Sequence, residues 1–178
     1  YTSLPWVIDP QVSLLGTYPP PNSGSSVAPG VFRTPDGGTT WALKYAGGVR
    51  GRPLAASDNN LYWLLDGDGG VIRSTDKGVT WTKLAGTGVS TSRGGASLIE
   101  LPDGRFATLG AQNVMLSSDH GASWKATGAA LPYNPVGLVY SKFRKAFYVW
   151  HFDCNFNPSG DPVPADAIMS LAFDYQTQ

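Results

Sequence analysis

Charge, cysteine and long apolar runs are all scarce in this 178-residue chain, and each shortage excludes something. Charged residues make up only 15%, 13 Lys and Arg balance 13 Asp and Glu, and the formal net charge is zero. That balance offers no field to attract nucleic acid or an anionic membrane, so a polyanion-binding surface would have to be local. Cys154 has no second cysteine, so no intrachain disulfide is possible and cysteine usage is silent on compartment. With no catalytic flanking pattern it reads as a buried, inert thiol. No stretch reaches the roughly 18 apolar residues that a bilayer-spanning helix requires. Asn157-Pro158-Ser159 is barred as a glycosylation acceptor by its proline, and no other sequon is present. The chain opens at Tyr1 with neither Met nor a signal-like segment, as expected of a mature or trimmed chain.

Turn formers and aromatics are abundant instead. Gly 22 and Pro 14 supply turns and aromatics at 12% supply core, which suits a soluble all-β protein. One nine-residue pattern recurs three times: Arg33-Thr-Pro-Asp36-Gly-Gly38-Thr-Thr-Trp41, Arg73-Ser-Thr-Asp76-Lys-Gly78-Val-Thr-Trp81 and Leu116-Ser-Ser-Asp119-His-Gly121-Ala-Ser-Trp124. Its aspartates lie 40 and 43 residues apart, the period of a repeated four-stranded unit. That period predicts an all-β fold, a β-propeller of four-stranded antiparallel blades.

Within each copy the Asp carboxylate is placed to accept backbone N–H groups that follow it, Gly38, Gly78 and Gly121 can take a positive φ, and each Trp is expected to be buried between neighbouring blades. A turn lock of this kind needs only its own backbone, so Asp36, Asp76 and Asp119 are assigned a structural role. The pattern (Ser/Thr)-x-Asp-x-Gly-x-(Thr/Ser)-Trp resembles the Asp-box (BNR repeat) of the sialidase-like, xyloglucanase-like and sortilin-like propellers. The resemblance implies a secreted, extracellular protein.

Blades are expected over approximately 1–46, 52–87, 94–130 and 136–178. In the second, strands are predicted at 53–56, 61–65, 71–74 and 80–84, and in the third at 96–100, 105–109, 114–117 and 123–126. The fourth begins in step at 136–140 and 146–152, then departs through a Pro-, Asn- and Gly-rich segment from 153 to 166 to a strand at 167–173, with no fourth strand. About four blades is fewer than the six or more usual in Asp-box propellers. The alternatives are a piece of a six- to seven-bladed ring, a half-ring completed by a second copy or a missing segment, or a small closed ring.

Antiparallel topology divides the loops between two faces. The repeat turns and first-to-second strand turns share one; the blade links and second-to-third strand loops share the other, which collects the irregular sequence. On that link face Arg50, Arg52 and Arg93 fall where inner strands begin. Their paired donors suit a carboxylate, sulfate or acidic sugar, unless they pair with Asp66, Asp68 or carbonyls and merely hold loops. Tyr133 and Asn134 complete the candidate ligand set at the funnel mouth. Asp66 and Asp68 share a Gly-rich loop with too few ligands for a metal site, and no metal or cofactor is expected. His151 and Asp153, flanked by Tyr148, Trp150 and Phe152, are candidates for proton transfer, although a lone His is more often structural.

Sialidases use three arginines around a carboxylate, a Tyr nucleophile assisted by Glu, and an Asp acid. Here the only glutamate, Glu100, falls on the repeat-turn face, so that site is not complete in this chain. A xyloglucanase-like inverting site would need two acids across a cleft, for which Asp66 or Asp68 with Asp153 is the best pair. A lyase would draw on Tyr133, His151 and Arg93. Three functions follow: glycan binding at the funnel mouth, a glycoside hydrolase or polysaccharide lyase completed by residues outside this chain, or sortilin-like protein recognition. Expected partners are a glycan or polysaccharide, with no nucleic acid and no membrane.

Overall fold

The computed structural model describes residues 5–18, 28–67, 69–86, 88–89, 97–131, 135–150 and 168–177. Every element among them is a strand. Four antiparallel meanders follow in chain order. The first holds β1 (Trp6–Val7), β2 (Ser13–Thr17), β3 (Gly30–Thr34) and β4 (Ala42–Ala46); the second β5 (Val49–Ala55), β6 (Leu61–Leu65), β7 (Val71–Ser74) and β8 (Thr82–Lys83). The third holds β9 (Ile99–Glu100), β10 (Phe106–Leu109), β11 (Val114–Ser117) and β12 (Lys125–Thr127), and the last stops at three: β13 (Gly137–Ser141), β14 (Ala146–Trp150) and β15 (Ile168–Ala172).

The blades stack face to face, and β6 shows why. Its run Leu-Tyr-Trp-Leu-Leu is buried throughout because a strand covered on both faces needs apolar residues at every position. Leu61, Trp63 and Leu65 join Leu14 and Val31 of the first blade in one core, while Tyr62 and Leu64 join Leu98 and Phe106 of the third in another. The period-2 alternation of a strand thus feeds two cores at once. A third core joins Ala107, Leu109 and Val114 to Leu138, Phe147, Val149 and Phe173 of the fourth blade. This is the layered arrangement of a β-propeller.

The three repeat turns are superimposable in their hydrogen bonding. The hydroxyl of Thr34, Ser74 or Ser117 accepts the N–H of Gly38, Gly78 or Gly121 at 2.8, 2.8 and 2.7 Å. The same hydroxyl donates to Oδ1 of Asp36, Asp76 or Asp119 at 2.7, 2.8 and 2.7 Å. Each Oδ1 also accepts the N–H of Thr40, Thr80 or Ser123, and each Oδ2 the hydroxyl of that residue at 2.6 Å. In Asp36 these bonds from Thr40 and Thr34 lower the pKa from 3.8 to about 2. In Asp119 the Ser123 hydroxyl leads the same downward shift; in Asp76 burial pushes upward but the bonds from Thr80 and Ser74 outweigh it. All three are therefore anionic turn locks, unsuited to donating protons.

Ser74→Ala is expected to cost about 1–3 kcal/mol, because Ser74 is buried and its loss leaves the buried Gly78 N–H without an acceptor. Urea denaturation measures it, and a loss below about 0.5 kcal/mol would mean that water replaces the hydroxyl.

The tryptophans of the turns correct one expectation. Trp81 and Trp124 are half-buried, packed against the core between the first and second blades and that between the second and third. Each therefore reaches back toward the blade before its own. Trp41 of the first blade joins none of the three cores; its indole N–H donates to the Gly38 carbonyl of its own turn at 3.2 Å, and it is 40% exposed.

Candidate functional site

The inner strand of the second blade begins at Val49, four residues before the position predicted from sequence, and this sets the geometry of the link face. The ladder pairs Val49 with Leu65 and Arg50 with Leu64, then resumes at Leu54 with Tyr62. Residues 51–53 thus oppose Trp63 alone, a bulge that accommodates Gly51 at φ 67° and Pro53, which has no N–H to give. The Trp63 indole N–H fixes its near side by donating to the Arg50 carbonyl at 3.0 Å. Arg50 and Arg52 consequently lie within β5 rather than in the link before it.

Arg50 is half-buried and engaged. Its Nε donates to Asp66 Oδ1, and its guanidinium lies over the Tyr18 ring, 4.1 Å from the centroid. Asp66 is itself positioned by its N–H to the Gly48 carbonyl at 2.8 Å, so the end of β6 and the start of β5 are tied twice. The pairing of Arg50 with a loop aspartate, one of the two roles considered for it, is thus realised. Asp66 directs its carboxylate at that guanidinium, away from the role of a free acid. Arg52, within the bulge, is exposed, and its side chain makes no hydrogen bond or ion pair among the described residues. The loop after Asp66 is held open by Gly67 and Gly69 in left-handed conformations, and a Cβ on Gly69 would strike the Val89 carbonyl oxygen.

Asp68, Arg93, Tyr133, Asn134, His151 and Asp153, and likewise Cys154, lie outside the described residues. Among the described residues no group of three His, Cys, Asp or Glu could hold a metal ion. No described helix is long and apolar enough to cross a membrane.

Two features of the neighbourhood escape sequence reasoning. Tyr18 follows β2 directly, and nothing in the sequence pairs it with an arginine 32 positions later; only the stacking of the first two blades does. On the opposite face, Glu100 reaches back one blade to the Ser57 N–H at 2.9 Å and to the Ser57 hydroxyl. Beside it the Tyr62 phenol donates to Asp58 Oδ2 at 2.6 Å, and burial followed by that bond pushes Tyr62 up to about 12. For Asp58, burial works upward but the bonds from Tyr62 and Asn60 prevail and lower its pKa. His120 stacks on Tyr62 and meets Phe106 edge-on, which makes this cluster a clasp between the second and third blades. The carboxylates of Asp58 and Glu100 and the Tyr62 phenol are all engaged within the clasp, which gives it a structural role.

No family model and no curated protein matches the chain. Among solved structures it is similar to YCF48 from Cyanidioschyzon merolae, at 14% identity over 78% of this chain and 48% of that one, with a TM-score of 0.48. It is also similar to YCF48 bound to D1 peptide, at 17% identity over 85% and 49% of the two chains, TM-score 0.45. A glycoside hydrolase aligns at 13% identity over 97% and 49%, TM-score 0.49. The chain spans about half the length of each of these proteins.

Proposed function

We propose that this chain is a carbohydrate-binding Asp-box propeller that works outside the cell and holds an acidic saccharide on its link face. The observation that carries the proposal is Arg52: an exposed guanidinium without a partner among the described residues, in a strand whose other arginine is already braced by Asp66 and Tyr18. A guanidinium with its donors free is suited to a carboxylate or sulfate, which it grips with paired charge-assisted bonds. Arg50 then contributes by fixing the strand, and Arg93, Tyr133 and Asn134 form the rest of the proposed lining. Binding is preferred to hydrolysis because Asp66, one of the acids proposed for a two-carboxylate mechanism, is directed at Arg50.

Titration calorimetry with an oligogalacturonate and with a neutral oligosaccharide of equal length tests this. The acidic sugar is expected to bind more tightly, and Arg52→Ala to weaken it by roughly 10- to 100-fold, the range for a lost charge-assisted bond. Melting temperature should barely move, since Arg52 is exposed. Equal affinity in Arg52→Ala and the parent, or equal affinity for the two sugars, would remove the acidic-saccharide site from β5.

A further inference from the structure

The turn that joins β13 to β14 breaks a device used in the other three blades. In each of those the first-to-second strand turn is closed by an aspartate accepting the N–H two residues on: Asp9 from Gln11 at 2.9 Å, Asp58 from Asn60 at 3.0 Å and Asp103 from Arg105 at 3.1 Å. Turn residues of that kind suffice to reverse a chain. The fourth blade has Ser141-Lys142-Phe143-Arg144-Lys145 instead, and Phe143 stands 90% exposed. Nothing in the folding of a four-residue turn requires an aromatic ring in water.

The turn is nonetheless firmly held. The Arg144 N–H donates to the Ser141 hydroxyl at 3.3 Å, the Phe173 N–H donates to the Lys145 carbonyl at 2.7 Å, and the Lys145 ammonium pairs with Asp174 at 2.7 Å. Lys145 occupies a left-handed conformation at φ 48°, which completes the reversal. With Asp174 taken by Lys145 and Asp103 by Arg105, the exposed side chains of Lys142 and Arg144 have no carboxylate partner among the described residues. In a chain of zero net charge this is a local cationic point with an apolar tip.

We propose that the Lys142-Phe143-Arg144 turn docks a protein partner through an acidic segment, whose apolar side chains close over the Phe143 ring while its carboxylates pair with Lys142 and Arg144. A rigid turn that presents an aromatic anchor loses little freedom on binding, the condition under which a single side chain dominates an interface. A protein segment fits better than a neutral sugar, because it brings carboxylates for the two cations as well as apolar side chains for the ring face that the Lys142 ammonium, 5.7 Å from the centroid, leaves open. It fits better than a bilayer, because Phe lacks the polar edge of the interfacial aromatics and two cations are few for anchoring on anionic lipid. The turn sits on the repeat-turn face, opposite Arg52, so both surfaces can be occupied at once.

Fluorescence anisotropy with a set of synthetic peptides of about twelve residues, each carrying Leu, Phe or Trp between glutamates, tests the proposal against the same peptides with Gln for Glu. Members of the glutamate set are expected to bind about tenfold or more tightly than their Gln counterparts. Phe143→Ser should lose about tenfold of that affinity with an unchanged melting temperature. Lys142→Glu with Arg144→Glu should lose a comparable factor and flatten the salt dependence. The proposal is overturned if no peptide of the set binds or if Phe143→Ser binds as well as the parent. Retention on phosphatidylserine vesicles without any peptide binding would overturn it in favour of a membrane contact.

Discussion

Trp63→Ala is expected to cost about 3–5 kcal/mol, the range for truncating a fully buried aromatic. Trp63 has no exposed surface, sits in the core shared by the first two blades, and opposes the bulge of β5 alone. Truncation would open a cavity between two layers, free the Arg50 carbonyl from its indole donor and loosen the strand that carries Arg52. Its ring also lies against Gly16, where even one added methyl would collide with it, so the first blade has been shaped to fit it. Trp41→Ala is the internal control and should cost below about 1 kcal/mol, since that residue is 40% exposed and joins none of the three cores. Guanidinium denaturation of both variants checks the order. Trp63→Ala within about 1 kcal/mol of the parent would mean that the first two blades are not held by this core.

Much of this architecture is legible in the sequence because the informative residues are local. Strands at Leu61–Leu65, Val71–Ser74 and Val114–Ser117 each follow an Asn or Gly and run up to a turn, and their bounds in the structure are the predicted ones. Among the described residues the last meander has three strands, and no fourth repeat follows them in the sequence. β5 was less readable: Gly51 and Pro53 look like linker residues, and only the bulge opposite Trp63 admits them to a strand. The repeat turns yielded their aspartates and glycines but not the role of the hydroxyl two residues earlier, which carries as many bonds as the carboxylate that draws the eye. Nor did the sequence show that Lys77 and His120 would share the left-handed turn that Gly37 takes in the first copy. For the candidate site, Arg50, Arg52 and Asp66 could be assigned to one face from topology, whereas the Tyr18 contact depends on how one blade lies on the next.

The purified chain is expected to self-associate through the two ends of its stack. Registry places Val7, Leu15, Phe32 and Leu43 together on the face of the first blade that points away from the second. It places Val139, Tyr148, Trp150 and Ile168 on the far face of the fourth. Val7 and Ile168 are each 66% exposed, and Trp41 lies exposed at the end where its counterparts Trp81 and Trp124 pack toward a preceding blade. The interior faces of the same blades bury Leu14, Val31, Leu138, Phe147 and Val149, so the end faces are built as blade contacts that lack a neighbour among the described residues. Apolar faces of this kind are rarely left in water by a monomer. Light scattering should therefore give a mass above 18.9 kDa that rises with concentration, and Trp41 fluorescence should shift to the blue as it does so. Leu43→Glu with Val139→Glu alters only exposed positions, so it should leave the melting temperature nearly unchanged while returning the protein to the monomer mass. A parent protein that stays monodisperse at 18.9 kDa at every concentration would show that the end faces are not contacts at all. Association that persists in the double variant would place the contact elsewhere on the molecule.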